Sequence, residues 1–127
     1  MKKVLLVDDD VDFCEAAKLL LDSKGYKVVL ANDGKEGLEK VRAENPDLVI
    51  LDVMMPEMNG YDVCVVLKAD PAFKNIPVIL LTAVDQNLFK TTYTQAMGLM
   101  TEADDYIAKP VEPQDLVRRV EGWLNKD

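Results

Sequence analysis

Three aspartates, a threonine and a lysine stand just past short apolar runs. Asp8 and Asp9 follow Val4–Val7, Asp52 follows Leu48–Leu51, Thr82 follows Val78–Leu81 and Lys109 follows Tyr106–Ala108. Any one of them is equally well explained as a polar strand end or a helix cap. The set is not, because three carboxylates held within a few ångströms repel one another unless a cation lies between them. A hard divalent ion relieves that repulsion, and Mg²⁺ suits one or two carboxylates together with a phosphate oxygen. Lys109 offers a point charge to phosphoryl oxygens and Thr82 a hydroxyl donor.

That convergence requires a particular arrangement of elements. A fifth run, Lys27–Leu30, completes the series, and three of the runs are continuous Val/Leu/Ile without in-out alternation. Such runs read as parallel strands covered on both faces. Between the first two, Phe13, Ala16, Ala17, Leu20 and Leu21 fall at helical spacing, with Asp10 as N-cap and Gly25 as stop. A second helix starts near Asp33-Gly34 and ends before Asn45-Pro46, since Pro46 disfavours helix at Asn45. A third runs from about Tyr61 to Ala69 with Val63, Val66 and Leu67 inward. The last begins after Pro113 and carries Leu116, Val117, Val120 and Leu124 on one stripe. Strand–helix alternation of this kind predicts an α/β fold, a doubly wound five-stranded parallel sheet with helices on both faces. In such sheets ligands bind beyond the carboxyl ends of the strands, where strand order reverses.

The bulk properties agree. The 127 residues are 49% hydrophobic and 30% charged, the size and composition of one globular domain. No repeat, low-complexity tract or linker divides the chain, so residues 1–127 are expected to form a single domain without an output module. A net charge of −8 with no Lys/Arg-rich run argues against direct nucleic-acid binding. The apolar run after Lys3 is too short and too soon acidic for a signal peptide, and no segment has the apolar length to span a membrane. A cytoplasmic location is expected. Cys14 and Cys64 lack metal-ligand spacing and the chain has no histidine, so a zinc site is not expected. The two cysteines belong to helices on opposite faces of the sheet, out of disulfide reach, and read as small buried hydrophobes. Trp123 reads as packing for the last helix.

Four pieces in order then carry a resemblance. They are Val4-Leu5-Leu6-Val7-Asp8-Asp9, Leu51-Asp52-Val53-Met54-Met55-Pro56 with Gly60, Leu80-Leu81-Thr82-Ala83, and Asp104-Asp105-Tyr106-Ile107-Ala108-Lys109-Pro110. Over residues 3–125 the chain resembles the receiver (response-regulator) family of two-component signalling. The resemblance implies a flavodoxin-like strand order 2-1-3-4-5 and a phosphorylation-activated switch in which Asp52 is the phosphoacceptor. It makes Asp9 a direct Mg²⁺ ligand, Asp8 one acting mainly through water, and the backbone carbonyl of Met54 a further ligand beside Asp52. Lys109 and Thr82 then hold the phosphoryl oxygens, Tyr106 changes rotamer as Thr82 moves, and Lys109-Pro110 is a cis bond.

The donor implied is a phosphohistidine on a sensor histidine kinase or a histidine phosphotransfer protein. With no histidine of its own, the chain cannot supply that donor. The implied outcome is a changed surface around the helical segment after the fourth run, the fifth run and the last helix. That surface would control a downstream protein target, and a homodimer formed on activation is left open. The chain would catalyse only its own phosphorylation and slow dephosphorylation.

Two departures from the family pattern stand out. Met54 and Val84, two positions beyond Asp52 and Thr82, flank the expected path of attacking water and cannot orient it, which predicts slow self-dephosphorylation. Ala83 is small and leaves room for the phosphoryl group. The stretch from Thr82 to Lys109 is several residues long for the family, with Glu102 where Gly is common. Its apolar Leu88, Phe89, Tyr93, Met97, Leu99 and Met100 are expected mostly to pack on the sheet, with some forming a partner-binding face.

Three alternatives use the same residues differently. A haloacid-dehalogenase-type phosphatase would use Asp8 as nucleophile with Asp104-Asp105 as a late acidic pair, but Asp12 stands where that family wants Thr or Val and a cap segment is missing. A flavodoxin-type binding module needs a Ser/Thr/Gly loop after the first strand, where this chain has three aspartates. A partner-binding pseudo-receiver would not need the intact set of Asp8, Asp9, Asp52, Thr82 and Lys109.

Overall fold

A computed structural model of the chain describes residues 2–54, 58–83 and 103–125. Five strands, β1 (Lys3–Val7), β2 (Lys27–Ala31), β3 (Leu48–Asp52), β4 (Val78–Ala83) and β5 (Asp105–Lys109), form one sheet in the order β2-β1-β3-β4-β5. All pairings are parallel. The described helices are α1 (Val11–Ser23), α2 (Gly34–Glu44), α3 (Gly60–Ala69) and α4 (Pro113–Leu124).

The uninterrupted apolar strands are buried on both sides. Val4 and Leu6 face one core with α1 and α4, and Leu5 and Val7 face the other with α2 and α3. Val4 to Val7, Leu48 to Leu51 and Val78 to Leu81 are all fully buried, each Leu or Ile contributing about 2–3 kcal/mol by leaving water. Cys14 lies in the first core and Cys64 in the second, so the sheet separates them as expected.

Short polar side chains start three helices at the carboxyl edge of the sheet. Asp10, Asp33 and Asn59 accept the backbone N–H groups of Phe13, Glu36 and Asp62 at 3.1, 2.8 and 3.0 Å. Pro113 opens α4, where no N–H is needed. At the far end of α2, Asn45 takes the left-handed conformation (φ 48°) before Pro46, and Gly25 (φ 92°) turns the chain from α1 into β2.

Four residues differ from the periodicity reading. Leu20 and Val66 are each 37% exposed, and Phe13 is only half-buried, whereas Tyr61 is buried. Helical spacing marks a stripe, but the neighbouring elements cover only part of it. The expected surface over 87–100, Val84 and Glu102 lie outside the described residues, as do Met55 and Pro56.

Among the described residues no helix is long and apolar enough to cross a membrane. At the amino edge of the sheet, Lys68 donates to the carbonyls of Lys74 and Ile76 and to Asp104 Oδ2 at 2.8 Å. The same Asp104 oxygen accepts Val78 N, joining α3 to the starts of β4 and β5.

Candidate functional site

Strand order reverses between β1 and β3: the chain leaves β1 toward β2 on one side and β3 toward β4 on the other. Asp8 and Asp9 leave β1 at that crevice and Asp52 ends β3 beside them, the position where open α/β sheets bind ligands. One carboxylate oxygen from each of the three lies within 4.8 Å of the others. Asp8 is fully buried, Asp52 is 3% exposed and Asp9 is open to solvent.

Lys109 reaches this cluster from the end of β5, across β4. Its Nζ donates to Asp8 Oδ2 at 2.8 Å and lies 3.4 Å from Asp52 Oδ2. Asp8 Oδ1 accepts Asp10 N at 3.0 Å, and Asp52 Oδ1 accepts Met54 N at 3.2 Å. Thr82 sits one residue before the end of β4, between the strands of Asp52 and Lys109, and its hydroxyl donates to the Ile107 carbonyl at 3.5 Å. Tyr106, on β5, is 39% exposed. Met54 is exposed at the rim, Ala83 closes β4, and Lys109-Pro110 is cis. Asp8, Asp9, Asp52 and Lys109 therefore meet at this edge, Thr82 stands near it close to the end of β4 with its hydroxyl on Ile107, and Val84 lies outside the described residues.

The electrostatics record the crowding. Burial, then the charge of Asp8, pushes the Asp52 carboxyl up from 3.8 to about 6, with Lys109 and the Met54 N–H opposing. Burial works against the Lys109 ammonium, but the hydrogen bond to Asp8 and the charges of Asp52 and Asp8 outweigh it and raise its pKa. Cys14, whose thiol donates to the Asp8 carbonyl at 3.5 Å, is pushed up to about 12 by burial and by Asp8 and Asp10. It is a neutral wall of the site. Three carboxylates facing one ammonium leave an excess of negative charge, and every ligating atom is oxygen. A hard divalent cation fits that donor set.

Two residues near the site escaped the sequence reading. Cys14 was legible only as a buried hydrophobe, and Phe13 only as part of a helical stripe. Phe13 lies beneath the Lys109 ammonium, 5.5 Å from Nζ to the ring centroid. Its place five residues after Asp8, in the first turn of a helix capped by Asp10, is the only local signal.

The acids at the other end of β5 have different work. Asp104 is bound to Lys68 and Val78 N, while Asp105 accepts from Arg119, Trp123 Nε1 and Tyr106 N. Burial opposes ionisation of Asp105, yet those donors hold its carboxyl below the usual range. Four residue steps of strand, about 13 Å, separate Asp105 from Lys109. The late acidic pair that the phosphatase alternative needs beside Asp8 is thus held at the opposite edge.

Comparison with known proteins agrees with this geometry. The family model of the response regulator receiver domain matches residues 4–121. The DNA-binding response regulator MtrA of Mycobacterium tuberculosis is 40% identical over 126 residues, which cover 99% of this chain and 52% of MtrA. The chain thus spans about half the length of that curated relative. Among solved structures, a putative response regulator from Chloroflexus aurantiacus superposes with a TM-score of 0.83 at 36% identity, covering 98% of both chains. The receiver domain of a signal transduction histidine kinase from Syntrophus aciditrophicus gives 0.84 at 33% identity, covering 100% of this chain and 95% of that one. With strand order, site geometry and sequence relatedness in agreement, the chain belongs to the response regulator receiver domain family of two-component signalling.

Proposed function

We propose that Asp52 is the phosphoacceptor of this receiver and that Asp8, Asp9, Asp52 and the Met54 carbonyl hold Mg²⁺ beside it. The observation that carries the reading is the meeting of three carboxylates within 4.8 Å with the Lys109 ammonium, at the switch point of the sheet. An Asp52 oxygen attacks the phosphorus of a phosphohistidine on a partner kinase or phosphotransfer protein. The new P–O bond forms as the P–N bond breaks, and the imidazole leaves with that electron pair. Lys109 and Thr82 take the phosphoryl oxygens, which is the positioning and charge compensation that phosphoryl transfer chiefly requires. The chemistry Mg²⁺ supplies when bound is neutralisation of charge on those oxygens and on the carboxylates.

Thr82 closing on the phosphoryl group frees space for Tyr106 to change rotamer, altering the surface of β5 and α4 for a downstream protein. Ala83 leaves room for the group. Met54 and Val84 offer water no hydrogen bond, so the phosphorylated state resets slowly. In this role the chain catalyses nothing beyond its own phosphorylation and dephosphorylation, and the cytoplasm is the location that suits a kinase-fed switch. The acidic surface disfavours direct nucleic-acid contact by this domain.

The test is incubation with Mg²⁺ and acetyl phosphate, followed by intact mass. The expected product gains one phosphoryl group, and Asp52→Asn gains none. No adduct on the parent chain, or an adduct retained by Asp52→Asn, overturns the reading.

A further inference from the structure

Phe13 has no part in the roles assigned above, yet its ring lies against the Lys109 ammonium. Helical spacing places it on the buried stripe of α1, but it is half-buried, and the Lys109 ammonium stands 5.5 Å from its ring centroid. The β1–α1 turn fixes the ring relative to Asp8. Asp8 Oδ1 accepts Asp10 N, Asp10 Oδ1 accepts Phe13 N, and the next residue, Cys14, points its thiol at the Asp8 carbonyl. One short, internally bonded turn therefore carries both the carboxylate and the ring that face Lys109.

We infer that Phe13 is a positioning residue for phosphoryl transfer, its ring face holding the Lys109 ammonium over Asp8 and Asp52 through a cation–π contact. The inference rests on the reading of Asp52 as phosphoacceptor. An ammonium has three N–H donors and no acceptor. One is committed to Asp8 Oδ2 at 2.8 Å, with Asp52 Oδ2 at 3.4 Å. When a phosphoryl group arrives on Asp52, those donors must turn to its oxygens. A ring contact consumes none of them, since the attraction is between the charge and the π-electron face. Phe13 thus holds the ammonium in place whichever oxygen its protons address.

The need is real because Lys109 reaches the site from the last residue of β5 on a flexible four-carbon stem, past β4. Its side chain is 24% exposed, so the contact is partly shielded from water. A purely space-filling role at the edge of the α1/α4 core would be met by leucine or methionine, which lack the π face.

The experiment compares Phe13→Leu, Phe13→Met and Phe13→Tyr with the parent chain. Initial rates of phosphorylation by acetyl phosphate at saturating Mg²⁺ are followed by intact mass, Mg²⁺ affinity by calorimetry and folding by thermal unfolding. Leucine and methionine are expected to slow the reaction about three- to tenfold, tyrosine to stay within about twofold, and Mg²⁺ affinity to stay within about twofold in all three. In a Lys109→Ala background the difference between phenylalanine and leucine at position 13 vanishes.

Folded Leu and Met variants that react at the parent's rate overturn the inference, as does a Tyr variant as slow as they are. Should Phe13→Leu fail to fold, Met against Tyr decides the same question. A parent chain that takes no phosphoryl group on Asp52 overturns the inference together with the reading beneath it. A parent that does, with rates indifferent to the ring, overturns the inference alone.

Discussion

Asp52→Asn, measured without metal, should make the protein more stable at neutral pH while abolishing phosphorylation. The folded site holds the Asp52 carboxyl at about 6 against an ordinary 3.8, chiefly through burial and then through the charge of Asp8. Between those values the folded protein keeps a proton that the unfolded chain has released. Stability contributed by this group therefore falls as pH rises from about 4 to about 6, and the whole penalty stands above that range. A difference of roughly two pKa units corresponds to about 3 kcal/mol at about 1.4 kcal/mol per unit. Asparagine has the same shape and no charge, and the opposing attractions of Lys109 and of the Met54 N–H are already contained in that difference. Its amide N–H group, set where Oδ2 faced the Lys109 ammonium, lowers the gain to about 1–3 kcal/mol, or about 3–10 °C in Tm for a chain of this size.

The assay is thermal or urea unfolding of both proteins in chelator, at about pH 7.5 and again near pH 4, where the two should nearly coincide. Saturating Mg²⁺ should then narrow or reverse the gap, because the parent offers one more carboxylate to the ion than the variant. An Asp52→Asn protein no more stable than the parent at neutral pH, or a gap of equal size at both pH values, would refute the picture of a strained, under-neutralised acid cluster.

Two further outcomes follow from the same site. A Cβ at Gly60 would lie 2.6 Å from the Asp52 carbonyl oxygen, a backbone atom that cannot swing aside, so Gly60→Ala should cost about 1–3 kcal/mol in unfolding. It should also weaken Mg²⁺ binding by displacing Asp52, and equal affinity by calorimetry would show that the strain is absorbed elsewhere. Met54→Asn places an amide able to orient water beside Asp52, and should shorten the phosphoryl lifetime several-fold as followed by intact mass. An unchanged lifetime would mean that Met54 does not limit water attack.

Much of this protein was determined by its sequence alone. Continuous Val/Leu/Ile runs such as Val4–Val7 and Leu48–Leu51 have no polar face to show to water, so only a sheet covered on both sides can hold them. Asp10 and Asp33 signal helix starts through local hydrogen bonds that depend on a few adjacent residues. The placing of Asp8, Asp9, Asp52, Thr82 and Lys109 at strand ends follows from the same runs.

Only the tertiary structure decided how those residues meet. Helical spacing could not reveal that Leu20 and Val66 stay exposed, because burial depends on which neighbour covers a turn and not on the turn itself. Nor could it reveal that Lys109 pairs more closely with Asp8 than with Asp52, or that Phe13 lies under the ammonium. Asp8 and Lys109 are 101 residues apart in the chain. Their distance is set by the order β2-β1-β3-β4-β5 and by the reach of one side chain across β4. The raised pKa of Asp52 has the same origin, since desolvation and like-charge repulsion depend on separations in space, which exist only once the sheet has brought β1, β3 and β5 to one edge.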